Sequence, residues 1–320
     1  MKKIEIDTFL KFRFLSNPHF SPDGTKIAFT VSVPDLYLYD LGKKTVSRVT
    51  CSGDAKTWSW TAENTLIFTA ARTAALKKEK ENGTSFLYEI SPSGGEAQCI
   101  TSIPATVTGI RLLPDGRYLL TIRHDNYRDT RKKSYEVFDE LPFWANGQGI
   151  VNKKRTRLAV YDPENGSCEI VTPDYENVEN SWVEGDDTIL YVSSLYTDKK
   201  DVYQGLKQYT ISTGELKTLV EQKDMSIDYA CILKGKVTFF GSYMKEYGFN
   251  ENDKLYTVED GKVELLSDYD DSIRNTICCD CKFADGASAI HDEDKIYFIA
   301  TLRKQSVIRT FDAEGNMETI

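Results

Sequence analysis

The sequence predicts an all-β protein, a β-propeller of four-stranded antiparallel blades, and two observations carry that prediction. A turn-and-strand pattern near the start is restated along the 320 residues at a period of about fifty. Helical periodicity is nearly absent, with Lys77 to Asn82 the one helix-friendly run, read as a charged loop or a single helical turn. A unit of that length with four short strands is a propeller blade.

The first unit sets the pattern. Ser21-Pro22-Asp23-Gly24 is a tight turn, because proline presets φ at its first corner and glycine accepts a positive φ at its end. Ile27, Phe29 and Val31 then alternate with Lys26, Ala28 and Thr30, the period of a half-buried strand, and they are expected to pack between sheets. Asp35–Leu41 and Thr45–Thr50 supply two more strands, separated by turns at Val33-Pro34 and Gly42-Lys43.

A glycine closes the turn after the third strand of each later unit, giving the series Gly42, Gly95, Gly166, Gly214, Gly261 and Gly315. The steps are 53, 71, 48, 47 and 54 residues, so the period is broken once, by an insertion of roughly twenty residues. The second strands fall in register at Thr65–Phe68, Arg117–Ile122, Thr188–Val192, Lys236–Phe240 and Lys295–Ile299, each after a polar turn. Leu113-Pro114-Asp115-Gly116 repeats the first turn closely. Six blades are visible, forming one propeller domain over residues 1–320, with an N-terminal lead at 1–16 and the insertion at 125–155 in the third blade.

Composition narrows the function classes. Aromatic residues make up 12% of the chain, which suits sheet-on-sheet packing, and no apolar run approaches the length of a membrane span. The start lacks the apolar core of a signal peptide, and the expected location is cytoplasmic. Seven cysteines, an odd and scattered set, read as reduced thiols. Cys278, Cys279 and Cys281 lack a second ligand pair at zinc spacing, so no metal and no cofactor are expected. The net charge of −9 argues against nucleic acid as a partner.

One region departs from that charge. Arg123 to Arg157 carries a net +4, leaving −13 for the rest, and it coincides with the oversized repeat. It holds Tyr127, Arg128, Phe138, Phe143, Trp144 and Arg155, the candidate interface or gating residues. Insertions on a scaffold are where contacts concentrate, and the alternative is a hairpin folded on its own blade.

Catalytic machinery is not legible. The three histidines, His19, His124 and His291, lie respectively beside the first blade turn, at the start of the insertion and in an acidic turn. No Gly-x-Ser-x-Gly elbow occurs, and Asn146–Gly149 reads as a turn and not as a dinucleotide loop.

The Ser-Pro-Asp-Gly turn, the Asp35–Asp40 strand, and above all Glu140–Gly149 running into Lys154–Leu158 and Tyr161-Asp162, resemble the amino-terminal propeller of bacterial prolyl oligopeptidase-family serine peptidases, in the acylaminoacyl-peptidase or dipeptidyl-peptidase-like branch. The blade turns are shared with TolB-like propellers; the insertion is the more specific part. The resemblance implies a seven-bladed ring that admits peptide substrates by size to an α/β-hydrolase domain, which carries the catalytic serine, aspartate and histidine. Only six blades are counted and the hydrolase domain is absent, so no catalytic residue is assigned and the chain reads as one part of a longer enzyme. A possible homo-oligomer, and a stand-alone propeller of TolB or WD40 type that binds a protein or peptide, remain as alternatives.

Overall fold

The Ser21–Gly24 turn closes through Gly24 N–H donating to Ser21 O at 2.8 Å, with Gly24 at φ +67. Hydrogen bonds from the Ser21 and Thr25 hydroxyls and the Thr25 N–H hold the Asp23 carboxyl down to about 2. The turn thereby delivers the chain antiparallel to itself. The computed structural model describes residues 5–8, 13–31, 34–126, 134–274 and 289–320.

Among the described residues six four-stranded antiparallel sheets follow one another, with 24 strands among them. The first is β1 (Leu15–Phe20), β2 (Lys26–Val31), β3 (Asp35–Asp40) and β4 (Thr45–Arg48). The second is β5 (Trp58–Trp60), β6 (Leu66–Thr69), β7 (Ser85–Ile90) and β8 (Gln98–Ile103), with helix α1 (Ala74–Glu81) between β6 and β7. The third uses β9 (Thr106–Leu112), β10 (Tyr118–Asp125), β13 (Lys154–Tyr161) and β14 (Cys168–Ile170). A separate two-stranded hairpin, β11 (Trp144–Ala145) and β12 (Gly149–Ile150), occupies the insertion. The fourth is β15 (Glu176–Glu184), β16 (Thr188–Leu195), β17 (Gly205–Thr210) and β18 (Leu216–Val220). The fifth is β19 (Ser226–Leu233), β20 (Lys236–Ser242), β21 (Lys254–Glu259) and β22 (Lys262–Ser267). The sixth is β23 (Ala289–His291), β24 (Lys295–Leu302), β25 (Gln305–Asp312) and β26 (Met317–Thr319). In every sheet the strands lie in chain order, the pattern of a propeller blade.

The chain forms two compact units. One takes in the described residues up to Ile122 with Val160–Cys168, the other those from Arg123 to Ala159 and from Glu169 onward. In the first unit, Ala28, Leu36 and Leu38 of the first sheet pack against Trp58, Trp60, Leu66 and Phe68 of the second. Ile27, Phe29 and Val31 lie on the opposite face of that sheet, where Phe29 is buried and stacks on Tyr37. The small Ala28 and Thr30 let Trp58 approach closely enough for its indole N–H to donate to Thr30 Oγ1 at 2.9 Å. In the second unit, Phe239 packs with Leu190, Val192 and Tyr256, whereas Phe240 packs with Phe298 and Phe311. Neighbouring strand residues point to opposite faces, so this Phe-Phe pair fills the core on both sides of one blade. The far side of the sixth sheet exposes Ile290, Ile299 and Ile308.

Two local readings change. The run at Lys77 is an eight-residue helix, Ala74–Glu81, capped by Thr73 Oγ1 accepting from Leu76 N–H, so helix begins three residues earlier than its charges indicate. No helix among the described residues is long and apolar enough to cross a membrane. Of the six marker glycines, five have positive φ, while in the first sheet Lys44 takes the left-handed conformation in place of Gly42.

Gly315 combines φ +83 with a crowded site, since a Cβ there would lie 2.6 Å from Leu266 O. At Gly214, with φ +72, the nearest atom to such a Cβ is Tyr209 Oη at 3.8 Å. Gly315→Ala is therefore expected to destabilise by roughly 2–3 kcal/mol and Gly214→Ala by about 1 kcal/mol, in urea unfolding. Equal losses would show that the backbone contact at Leu266 is relieved without cost.

Candidate interaction site

The insertion is tied to the fourth sheet by one guanidinium. Lys154, Arg155, Thr156 and Arg157 open β13, and strand alternation turns both arginines to the same, buried face. Arg155 Nε donates to Tyr175 O at 3.0 Å, Nη1 to Lys154 O at 2.9 Å and Glu140 Oε2 at 3.2 Å, and Nη2 to Tyr196 O at 2.8 Å and to Glu140 Oε1. All five guanidinium N–H groups are thus used, and the group lies flat on the Tyr196 ring, 3.6 Å from its centroid. Both side chains of the ion pair are fully buried. Such a pair costs desolvation and repays it only when every polar atom is satisfied, which is the case for this arginine. Arg157 is buried beside it, donating to Asp174 Oδ1 at 2.7 Å and to Thr172 O.

Backbone bonds fix the insertion further. Leu141 N–H donates to Asp198 O at 2.7 Å and Lys200 N–H to Leu141 O at 2.7 Å. Asp139 pairs with Lys153 at 3.1 Å, and that bond holds its carboxyl below the usual range. The outer surface is aromatic. Phe138 and Phe143 stack with centroids 4.9 Å apart, and Phe138, Phe143 and Trp144 are 43%, 42% and 54% exposed. Tyr135, Val137 and Leu141 are exposed around them.

Among the candidate residues the structure therefore stacks Phe138 on Phe143 and leaves Trp144, next in the chain, exposed. Arg155 lies beneath, as the group that positions the insertion, with no donor left for a partner. Tyr127 and Arg128 lie outside the described residues, as do Cys278, Cys279 and Cys281. Cys51, Cys99, Cys168 and Cys231 are free thiols. Sequence reasoning missed Glu140, whose acid lies fifteen residues from Arg155; the strand alternation of Arg155 and Arg157 was the available signal.

The histidines are placed as follows. His291 Nε2 lies 3.1 Å from Glu184 Oε2, and its Nδ1 lies 2.7 Å from the Tyr229 hydroxyl. Burial above all, with the neighbouring Glu184 charge, pushes the Tyr229 phenol far up, so it stays protonated. His19 sits edge-on to Trp58 at 5.6 Å, and burial lowers its affinity for a proton. His124 is lowered by burial and by Arg157.

No family model matches the sequence. The uncharacterized peptidase YuxL of Bacillus subtilis (strain 168) is 25% identical over 194 residues, covering 54% of this chain and 28% of that protein. The acylaminoacyl peptidase of Pyrococcus horikoshii superposes with a TM-score of 0.68 at 18% identity, over 98% of this chain and 47% of that one. The chain has a β-propeller fold. The β-propeller domain of the Trilobed protease from Pyrococcus furiosus, described as having an open velcro topology, superposes with a TM-score of 0.54 at 15% identity, over 97% of this chain and 83% of that one. The chain thus spans less than half the length of the two whole peptidases it resembles.

Proposed function

We propose that the chain is the non-catalytic propeller of a serine peptidase acting on short or N-acylated peptides, serving as substrate gate and interaction scaffold for an α/β-hydrolase domain outside it. The observation that carries this reading is the superposition of nearly the whole chain on under half of an acylaminoacyl peptidase, supported by the sequence match to a peptidase. Free cysteines, two of them exposed, fit a reducing, cytoplasmic setting. In this reading the stacked Phe138–Phe143 pair and Trp144 meet the catalytic domain or a second subunit. Exposed aromatics on a rigid support are the residues that dominate interface energies.

The test supplies the α/β-hydrolase domain in trans. Adding the 320-residue chain is expected to restrict cleavage to short chromogenic peptides and to suppress cleavage of a folded protein. The double variant Phe143→Ser, Trp144→Ser is expected to weaken that association at least about tenfold, with a stability loss of about 1 kcal/mol from the broken Phe138–Phe143 stack. Unchanged selectivity on adding the chain would refute the gating role, and unchanged association would refute the role of the insertion. The same aromatic surface also favours a stand-alone binding propeller, and capture of a peptide by the chain alone, lost in the double variant, would select that reading.

A further inference from the structure

In the first unit, the loop from β4 to β5 and the segment from β6 into α1 line a half-open cleft of about 580 Å³, with Arg72 and Lys77 exposed at its edge. Val49, Ala71 and Ile90 give it an apolar wall, while Arg72 and Lys77 bring positive charge. That volume lies in the range of small-molecule sites. Arg72 is held by stacking, its Cζ lying 5.0 Å from the Tyr88 ring centroid and 5.7 Å from that of Phe68. Stacking occupies the face of a guanidinium and leaves its N–H edge free to donate.

The charges near the cleft divide into committed and open ones. Arg48 is bound to the buried Asp35, whose other oxygen accepts from Thr50 Oγ1 at 3.1 Å and Gly53 N–H at 3.0 Å. Asp54, the acid of the wall, accepts from Ser52 Oγ at 2.5 Å through one oxygen and from Ala71 N–H at 2.9 Å through the other. Among the described residues neither the Arg72 nor the Lys77 side chain has a hydrogen-bonding or ion-pair partner. The helix that starts between them carries no acid in its first turn, so its positive end adds to the same field.

We propose that this cleft binds a small organic carboxylate, its two oxygens taken by the N–H edge of Arg72 with Lys77 as second cation, and its carbon portion lying on Val49, Ala71 and Ile90. The pre-stacked guanidinium loses little freedom on forming a bidentate bond, which is what makes it a site and not only a surface cation. The site is separate from the aromatic insertion and is independent of any peptidase role.

Isothermal titration of the whole chain with N-acetylphenylalanine, N-acetylphenylalanine amide and inorganic phosphate tests it. The acid is expected to bind and the amide not. Arg72→Gln, which loses the two-bond fork, should weaken the acid at least about tenfold, and Lys77→Gln, which loses only a second, solvent-screened cation, about two- to fivefold. Arg72→Lys, which keeps the charge and loses the fork, should fall between wild type and Arg72→Gln. Circular dichroism of each variant confirms that the blades remain. Tighter binding of phosphate with the same dependence on Arg72 would retain the anion site and overturn the carboxylate assignment. Absence of binding at about 10 mM acid, near the weakest affinity such a bond gives, equal binding of acid and amide, or an Arg72→Gln variant that binds like wild type would overturn the proposal.

Discussion

Glu140→Ala is expected to destabilise the protein by about 3–5 kcal/mol, because it strands the Arg155 charge in a site where neither side chain meets water. Nothing nearby can take over the acid's role: the three carbonyls around the guanidinium, those of Lys154, Tyr175 and Tyr196, already hold their own N–H groups. Lys153 N–H, which donates to Glu140 Oε2, would lose its acceptor as well. Arg155→Lys keeps the charge but offers three donors to five acceptor positions, and a loss of about 2–3 kcal/mol is expected. Urea midpoints measure both, and hydrogen exchange over residues 134–153 should rise in both. A loss below about 1 kcal/mol for Glu140→Ala would show that water already reaches the pair. Removing residues 128–152 as a block would take Glu140 with it, so deletion cannot separate the interaction surface from the support beneath it; exposed-residue substitutions can.

The second large effect is on pH. Asp253, half-buried before β21, has its carboxyl pushed up to about 7 by desolvation first and the neighbouring Asp228 second, with Arg274 acting the other way. Asp228 sits where the pairing of β19 with β20 shifts register, between Ile227 and Tyr229, and one of its oxygens is buried without a partner while the other pairs with Arg274. A protonated Asp253 removes the repulsion between the two acids. Because the folded state keeps a proton that the unfolded chain releases near pH 3.8, the folded state binds more protons between the two values and stability falls as pH rises. A carboxyl raised from 3.8 to about 7 contributes on the order of 4 kcal/mol, lost between roughly pH 4 and 7 and fully lost above. Asp253→Asn should remove most of that slope. The rise at Asp228 has the same sign and remains in the variant, whereas His19 and His124, both lowered, act with the opposite sign and are common to both proteins. The measurement is the difference in urea stability between about pH 5 and pH 8, on either side of the raised value. An equal difference in wild type and variant would contradict the assignment.

The periodic part of this architecture was legible in the sequence because it rests on local chemistry. Turn glycines and alternating strands recur whatever surrounds them, and the second strands from Leu66 to Leu302 all fall where the alternation placed them. Helix α1 was underestimated because its only signals are Thr73 and three residues, Ala74, Ala75 and Leu76, ahead of a charged run with no buried residue. That the Ala28 face of β2 packs on the second sheet was not legible, because a small residue does not announce that a tryptophan lies against it. The candidate site was legible as a place but not as a mechanism. The aromatic, basic composition of the insertion marked a surface, yet the role of its Arg155 depends on Glu140, Tyr175 and Tyr196, just as that of Asp253, far from the insertion in sequence, depends on Asp228. His291 likewise read as part of an acidic turn and is held between Glu184 and Tyr229, two strands that the sequence does not connect to it.

In the proposed reading this chain supports peptidase chemistry without performing it. A serine peptidase owes its rate to a positioned nucleophile, an imidazole base and an oxyanion site. The most direct measurement is intact-mass analysis of the 320-residue chain after incubation with a serine-directed fluorophosphonate, alongside hydrolysis of acylaminoacyl and dipeptidyl chromogenic substrates. The account predicts no adduct and no hydrolysis above the uncatalysed rate. A stoichiometric adduct on one serine, abolished by replacing His19, His124 or His291, would contradict it and make this chain a catalyst in its own right.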